Sequence, residues 1–162
     1  KSVIGELKSD IEDKKLAVKE AYGDNIPQFP ADKNLLRIIF QNLLSNAVKY
    51  TSKNGTLKVE INVVEKDKNF GGKDIKENSL SVLVSDSGIG IPEKDKERIF
   101  ERFYTVNKSR SRQLAGTGLG LSIVKHIVLL HKGKITVESV IGTGTKFIIL
   151  IPILIWKIGN VT

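Results

Sequence analysis

Asp86-Ser87-Gly88-Ile89-Gly90-Ile91-Pro92 is the stretch on which the fold turns. It follows Leu80 to Val84, an apolar run that predicts a buried strand. A carboxylate therefore stands at a strand end with a glycine-rich turn behind it. Upstream, Asn42 and Asn46 lie in a segment whose Leu35, Leu36, Ile39, Leu43 and Ala47 recur at helical spacing. Amides at positions i and i+4 project from one face of such a helix. Downstream, Gly116-Thr117-Gly118-Leu119-Gly120-Leu121 leads into a further apolar helix running to His131. Free N–H groups at a helix start, unobstructed by Cβ atoms, form an anion site.

Each element alone has a plain reading: two solvent-facing asparagines, an ordinary Asp-Ser-Gly turn, a glycine loop. Taken in order, they supply what a bound nucleotide needs. Asp86 can accept a hydrogen bond from an exocyclic amine, the Gly88 and Gly90 turn leaves room for a flat base, and the amide oxygens are neutral hard ligands for Mg²⁺ beside phosphates. The glycine loop matches neither Gly-x-Gly-x-x-Gly nor Gly-x-x-x-x-Gly-Lys-[Ser/Thr], so the dinucleotide and Walker readings lack their signatures. The order points to an ATP site built without a P-loop.

The chain has 162 residues, 27% charged and 40% hydrophobic, which suits one globular domain with a real core. It contains no cysteine, so neither a disulfide framework nor a thiolate metal site is expected. No signal-peptide pattern is read at Lys1. The apolar stretch from Phe147 to Ile158 is too short to span a bilayer and is interrupted by Pro152, so it reads as a last strand (to 152) and a tail, 153–162. Residues 1–103 carry 18 basic against 17 acidic side chains, and residues 104–162 carry 8 against 1. No nucleic-acid motif accompanies that basic second half, so a polyphosphate or an acidic partner is the expected counterpart and nucleic acid is not.

The remaining elements follow from pattern. Val3, Ile4, Leu7 and Ile11 predict an opening amphipathic helix, and Leu16 to Tyr22 a strand. Asp32 reads as the N-cap of the Asn42/Asn46 helix, which is expected to run to about Tyr50. Thr56 to Val64 predicts a strand paired antiparallel with Leu80–Val84, across a charged loop from Glu65 to Ser79. Glu93 to Phe103 is expected as a short helix, with Gly133 at the C′ position of the 118–131 helix. Lys134–Val140 and Thr145–Ile151 are expected as a hairpin about Gly142-Thr143-Gly144. The order predicts an α+β fold, a two-layer sandwich of a mixed, mostly antiparallel sheet covered on one face by helices.

These residues carry a family resemblance. The chain resembles the catalytic, ATP-binding domain of bacterial sensor histidine kinases, in the superfamily shared with gyrase-type topoisomerases and heat-shock chaperones. Gln41 to Tyr50 resembles its N box, Asp86 to Pro92 its G1 box, Phe100-Glu101-Arg102-Phe103-Tyr104 its F box and Gly116 to Leu121 its G2 box. Gly142-Thr143-Gly144-Thr145 resembles its last glycine element. The resemblance implies a Bergerat-type fold over residues 1–152, with a mobile ATP lid over about 92–117 anchored by Phe100 and Phe103. It implies Asn46 as Mg²⁺ ligand with Asn42 as its partner, Lys49 near the phosphates, and Tyr50 lining the pocket. Asp86 would read the adenine amine, with Thr145 supporting through water. Gly88, Gly90, Ile91, Tyr104, Gly116, Thr117, Gly118, Leu119, Gly120 and Leu121 complete the expected nucleotide contacts.

Two departures stand out. Many relatives have an arginine directly after the F-box tyrosine, whereas this chain has Thr105, so Arg102, Lys108, Arg110 or Arg112 is expected to face the γ-phosphate instead. The phosphoacceptor motif is also missing, and His126 and His131 are expected to be packing or surface residues. Position 42 separates kinase from ATPase: the hydrolytic branch has a glutamate base there, and an asparagine cannot deprotonate water. The expectation is phosphotransfer from Mg·ATP to a histidine on a separate dimerisation domain of the same full-length kinase, with a response regulator downstream. The resemblance implies a cytoplasmic domain of a membrane-anchored receptor, itself without membrane contact. The rivals are an ATP-driven conformational ATPase and a nucleotide-sensing module without transfer activity.

Overall fold

Asp32 starts the longest helix as its sequence predicts. Its carboxylate accepts the N–H groups of Asn34 and Leu35 at 2.7 and 3.1 Å, two of the donors that a helix start leaves over. In the computed structural model, which describes residues 2–29, 31–67, 69–70, 73–74, 77–106 and 117–153, this helix is α3 (Lys33–Tyr50). Before it come α1 (Val3–Glu6), α2 (Lys8–Asp13) and β1 (Ala17–Tyr22). After it come β2 (Thr56–Val64), the short strands β3 (Asn69–Phe70) and β4 (Lys73–Asp74), then β5 (Ser79–Asp86), α4 (Gly120–Leu130), β6 (Lys134–Val140) and β7 (Gly144–Pro152).

Five strands share one sheet in the order β1-β2-β5-β7-β6, with β1 and β2 parallel and the other pairs antiparallel. Parallel neighbours need a crossover, which α3 supplies. The register lines apolar residues into rows across the sheet: Ile61, Val82, Ile149 and Ile135, then Val59, Val84, Phe147 and Val137. Leu43, Leu44, Ala47 and Val48 of α3 and Val124, Ile127 and Val128 of α4 close over that side and are buried with it. Val3, Ile4, Leu7 and Ile11 of the opening segment pack against the same core. The result is the expected mixed sheet with its helices on one face.

Four local expectations differ from the structure. The opening helix is broken at Leu7 into α1 and α2. The 93–103 segment forms two 3-10 turns, Glu93–Asp95 and Arg98–Phe100, instead of a helix. Tyr104 donates to Asp95 across them at 2.6 Å, a contact between residues nine apart. At the end of α4 the left-handed residue is Lys132, not Gly133: Lys132 N–H bonds the Leu129 carbonyl and Gly133 N–H the Val128 carbonyl. Phe103 is 70% exposed instead of anchored, because its φ of 63° and its N–H bond to the Gly118 carbonyl turn the side chain outward. Phe100 does anchor, edge-on to Phe147 at 6.4 Å. Lys108, Arg110, Arg112 and Gly116 lie outside the described residues, as does the tail from 154.

Candidate functional site

The apolar rows end in a polar one. Leu57, Asp86, Thr145 and Ser139 are the next set in register on the helix-facing side of the sheet. Asp86 thus sits at the open end of a hydrophobic core, half-buried. Burial is the larger influence on its carboxyl and raises its pKa above the ordinary carboxylate value, while N–H bonds from Gly88 and Thr145 oppose the rise. The Gly88 N–H lies 2.8 Å from Oδ1.

The turn after Asp86 is held between two other elements. Ile89 N–H bonds the Tyr50 carbonyl at the end of α3, at 3.3 Å, and Gly142 N–H from the β6–β7 turn bonds the Ile89 carbonyl, at 2.9 Å. Gly90 has a φ of 72°, and a Cβ there would stand 2.1 Å from the Val140 carbonyl oxygen. A Cβ on Gly88 would stand 2.6 Å from the Tyr50 carbonyl oxygen. Both glycines give their room to the protein's own backbone, where the sequence pattern suggests room for a base. Ile91 N–H bonds Ser139 Oγ at 2.8 Å, which fixes the end of the turn.

The asparagines meet the glycine loop across the helices. Asn42 donates through Nδ2 to the Ile38 carbonyl at 2.9 Å, which turns Oδ1 toward the start of α4. A Cβ on Gly120 would be 2.5 Å from that oxygen, so glycine is the residue that lets the two elements approach. Asn46 is half-buried one turn along α3, and nothing among the described residues pairs with its amide. An amide oxygen without a partner among the described residues, one turn along α3 from where Asn42 meets Gly120, fits the neutral ligation that Mg²⁺ accepts when phosphates complete its shell. Among the described residues no cluster of three or more His, Cys, Asp or Glu could hold a metal by itself. No side chain caps α4, whose N-cap residue is Leu119, although Thr117 Oγ1 accepts the Leu119 N–H at 3.4 Å. Leu121 packs against the core.

Lys49 lies over the Tyr50 ring at 5.1 Å. Tyr104 is committed elsewhere: besides its bond to Asp95 it stacks under Arg98 at 4.2 Å. Arg102 is exposed. His126 is exposed, and His131 Nδ1 bonds the Ile127 carbonyl at 2.9 Å. Two supporting residues escape the sequence patterns. Lys14 donates to the carbonyls of Val48, Lys49 and Thr51 at 2.7, 2.8 and 2.9 Å, capping the end of α3 next to the turn. Ser139 bonds Ile91, Gly144 and Thr145. A serine continuing the inward series of Ile135 and Val137 is the one signal for it; nothing local marks Lys14.

Comparison with known proteins finds a matching family, relatives and similar folds. The family described as histidine kinase-, DNA gyrase B-, and HSP90-like ATPase matches residues 31–155. The chain is 40% identical over 121 residues to the sensor histidine kinase WalK of Bacillus subtilis (strain 168), covering 75% of this chain and 18% of that protein. It is 44% identical over 121 residues to the sensor-like histidine kinase SenX3 of Mycolicibacterium smegmatis, covering 75% and 28%. The chain therefore spans less than a third of the length of these relatives. Among solved structures, the catalytic domain of histidine kinase ThkA in a nucleotide-free form superposes with a TM-score of 0.73 at 30% identity, covering 93% of this chain and 89% of that one. Full-length ShkA in complex with AMPPNP gives a TM-score of 0.74 at 26% identity, covering 93% and 28%.

Proposed function

The chain belongs to the histidine kinase-, DNA gyrase B-, and HSP90-like ATPase family, and from that premise we propose that it binds Mg·ATP and transfers the γ-phosphoryl group to a histidine on a separate helical dimerisation domain of the same kinase. The observation that carries the reading is the Asp86 carboxylate at the open end of an apolar core, in register with Thr145. A half-buried acceptor that sees two N–H groups and, among the described residues, no cation suits an exocyclic amine. Asn46 would hold a cation and the N–H groups opening α4 would hold phosphates; a bound cation would supply neutralisation of charge developing on the transferred group. Lys49, three residues after Asn46 on α3, is the cation expected to attract the phosphate chain.

Asn42 decides between transfer and hydrolysis. Its amide is held by the Ile38 carbonyl, with Gly120 in close approach, and takes no proton from water. An imidazole nucleophile brings its own lone pair and needs no such base. With Thr105 after the tyrosine, γ-phosphate charge falls to Arg102, Lys108, Arg110 or Arg112, of which the described residues include only Arg102. Single alanine replacements there should leave ADP binding nearly unchanged, and at least one should slow transfer about tenfold, since about 1.4 kcal/mol of lost transition-state stabilisation suffices.

No helix among the described residues is long and apolar enough to cross a membrane. The likeness to sensor kinases supports a cytoplasmic catalytic domain of a longer receptor whose phosphate passes to a response regulator. Titration of ADP with and without Mg²⁺ tests the binding half of this reading. Affinity should depend on both Asp86 and Asn46, and Mg²⁺ should strengthen binding only while Asn46 is present. Mg²⁺-independent affinity in the native chain contradicts the assignment of Asn46.

A further inference from the structure

Ser139 gives the polar row a direction. It is 8% exposed, and its Oγ has three partners: Ile91 N–H at 2.8 Å, the Gly144 carbonyl at 2.8 Å and Thr145 Oγ1 at 3.0 Å. A hydroxyl has one proton and two lone pairs. A carbonyl only accepts, so the Ser139 proton goes to Gly144. An amide N–H only donates, so Ile91 takes one lone pair. What remains on Ser139 is a second lone pair, and Thr145 must therefore be the donor in the Ser139–Thr145 bond. The single Thr145 proton is thus directed toward β6, and Oγ1 has only lone pairs left for anything else. Thr145 stands beside Asp86 in an antiparallel pair, with both side chains on one face. The ionised carboxylate likewise offers only lone pairs.

We infer that Ser139 is a specificity-determining positioning residue: by holding the Thr145 proton it makes the Asp86–Thr145 edge accept only, so that the site selects bases bearing an exocyclic amine over bases bearing a carbonyl there. This rests on the reading of Asp86 as the base-binding carboxylate. A 6-amino purine, together with a water bonded to it, donates toward both acceptors. A 6-keto purine sets lone pairs against lone pairs and leaves polar groups unpaired, which is the strongest form of discrimination a binding site has. A Thr145 hydroxyl free to rotate would donate to the keto oxygen and admit it.

The test compares ADP with inosine diphosphate, by calorimetry and by competition, on the native chain and on Ser139→Ala and Ser139→Thr. Ser139→Ala releases the Thr145 proton, and the ADP-over-IDP preference should fall about fivefold or more, the equivalent of about 1 kcal/mol. Ser139→Thr keeps a hydroxyl and should restore the preference. An unchanged preference in a folded Ser139→Ala protein makes Ser139 only scaffold and overturns the inference. Because Ser139→Ala also strands Ile91 N–H and the Gly144 carbonyl, Thr145→Val is measured beside it. Loss of an acceptor should weaken ADP while leaving IDP unchanged or tighter, and equal weakening of both overturns the inference as well. If the native chain binds neither diphosphate, the nucleotide reading itself fails and takes this inference with it. If ADP binds through Asp86 while the preference ignores Ser139 and Thr145, only the inference fails.

Discussion

Asp86 does opposite things to the empty and the loaded protein. Burial raises its pKa, so the folded chain holds the proton more readily than the unfolded chain does. Its contribution to stability is therefore present at low pH and lost as pH rises through the raised value. An adenine amine needs the ionised form, so ADP affinity should fall as pH falls through that same value, beginning at a higher pH than an exposed carboxylate would show. Calorimetry across that range checks this, and Asp86→Asn should flatten the profile. At neutral pH the same replacement should weaken ADP by about 1.5–3 kcal/mol, the usual effect of losing a charge-assisted hydrogen bond. Unchanged affinity rejects the placement of the base. Asp86 is legible from sequence because burying a carboxylate at the end of an apolar strand costs stability, which singles the residue out for binding. Ser139 is not, because its meaning lies in three partners, two of them five and six residues on and one across the fold.

The elements that cap themselves are the legible ones. Asp32 announces α3, and alternation gives β2 its full length. What escapes the sequence is what distant contacts decide. Lys14 reaches the α3 carbonyls across 34 to 37 residues, and those carbonyls belong to the turn on which Tyr50 meets Gly88 and Ile89. A cation at a helix C-terminus also complements its dipole. Lys14→Met, which keeps the stem and removes the charge, should destabilise the protein by about 1–3 kcal/mol in urea unfolding. ADP affinity should weaken beyond that variant's loss of folded population. Gly120→Ala separates helix stability from function in the other direction. Alanine favours a helix over glycine by up to about 1 kcal/mol, yet here its Cβ would stand 2.5 Å from Asn42 Oδ1. Unfolding should show little loss of stability, while ADP binding, followed by calorimetry, should weaken severalfold because the Asn42 amide is displaced. The two 3-10 turns in place of a helix at 93–103 belong to the same lesson: the Tyr104–Asp95 bond that spans them is invisible to local periodicity.

At the scale of the molecule, one sheet carries the Asp86–Thr145 pair at its end, and the helices above it bring Asn42 to a glycine-opened helix start. The motif order along the chain makes that assembly readable, because each motif marks a different wall of one site. The described residues hold no histidine in an acidic, acceptor-like setting: His126 is exposed on α4, and His131 is bonded to its own helix. The acceptor is therefore expected on another domain. The most direct test is incubation with γ-labelled ATP and Mg²⁺, with and without a histidine-bearing helical dimerisation domain. The account predicts acid-labile, base-stable label on that domain's histidine and none on this chain alone. Label on His126 or His131 in the isolated chain, or steady phosphate release with no labelled histidine, would contradict it.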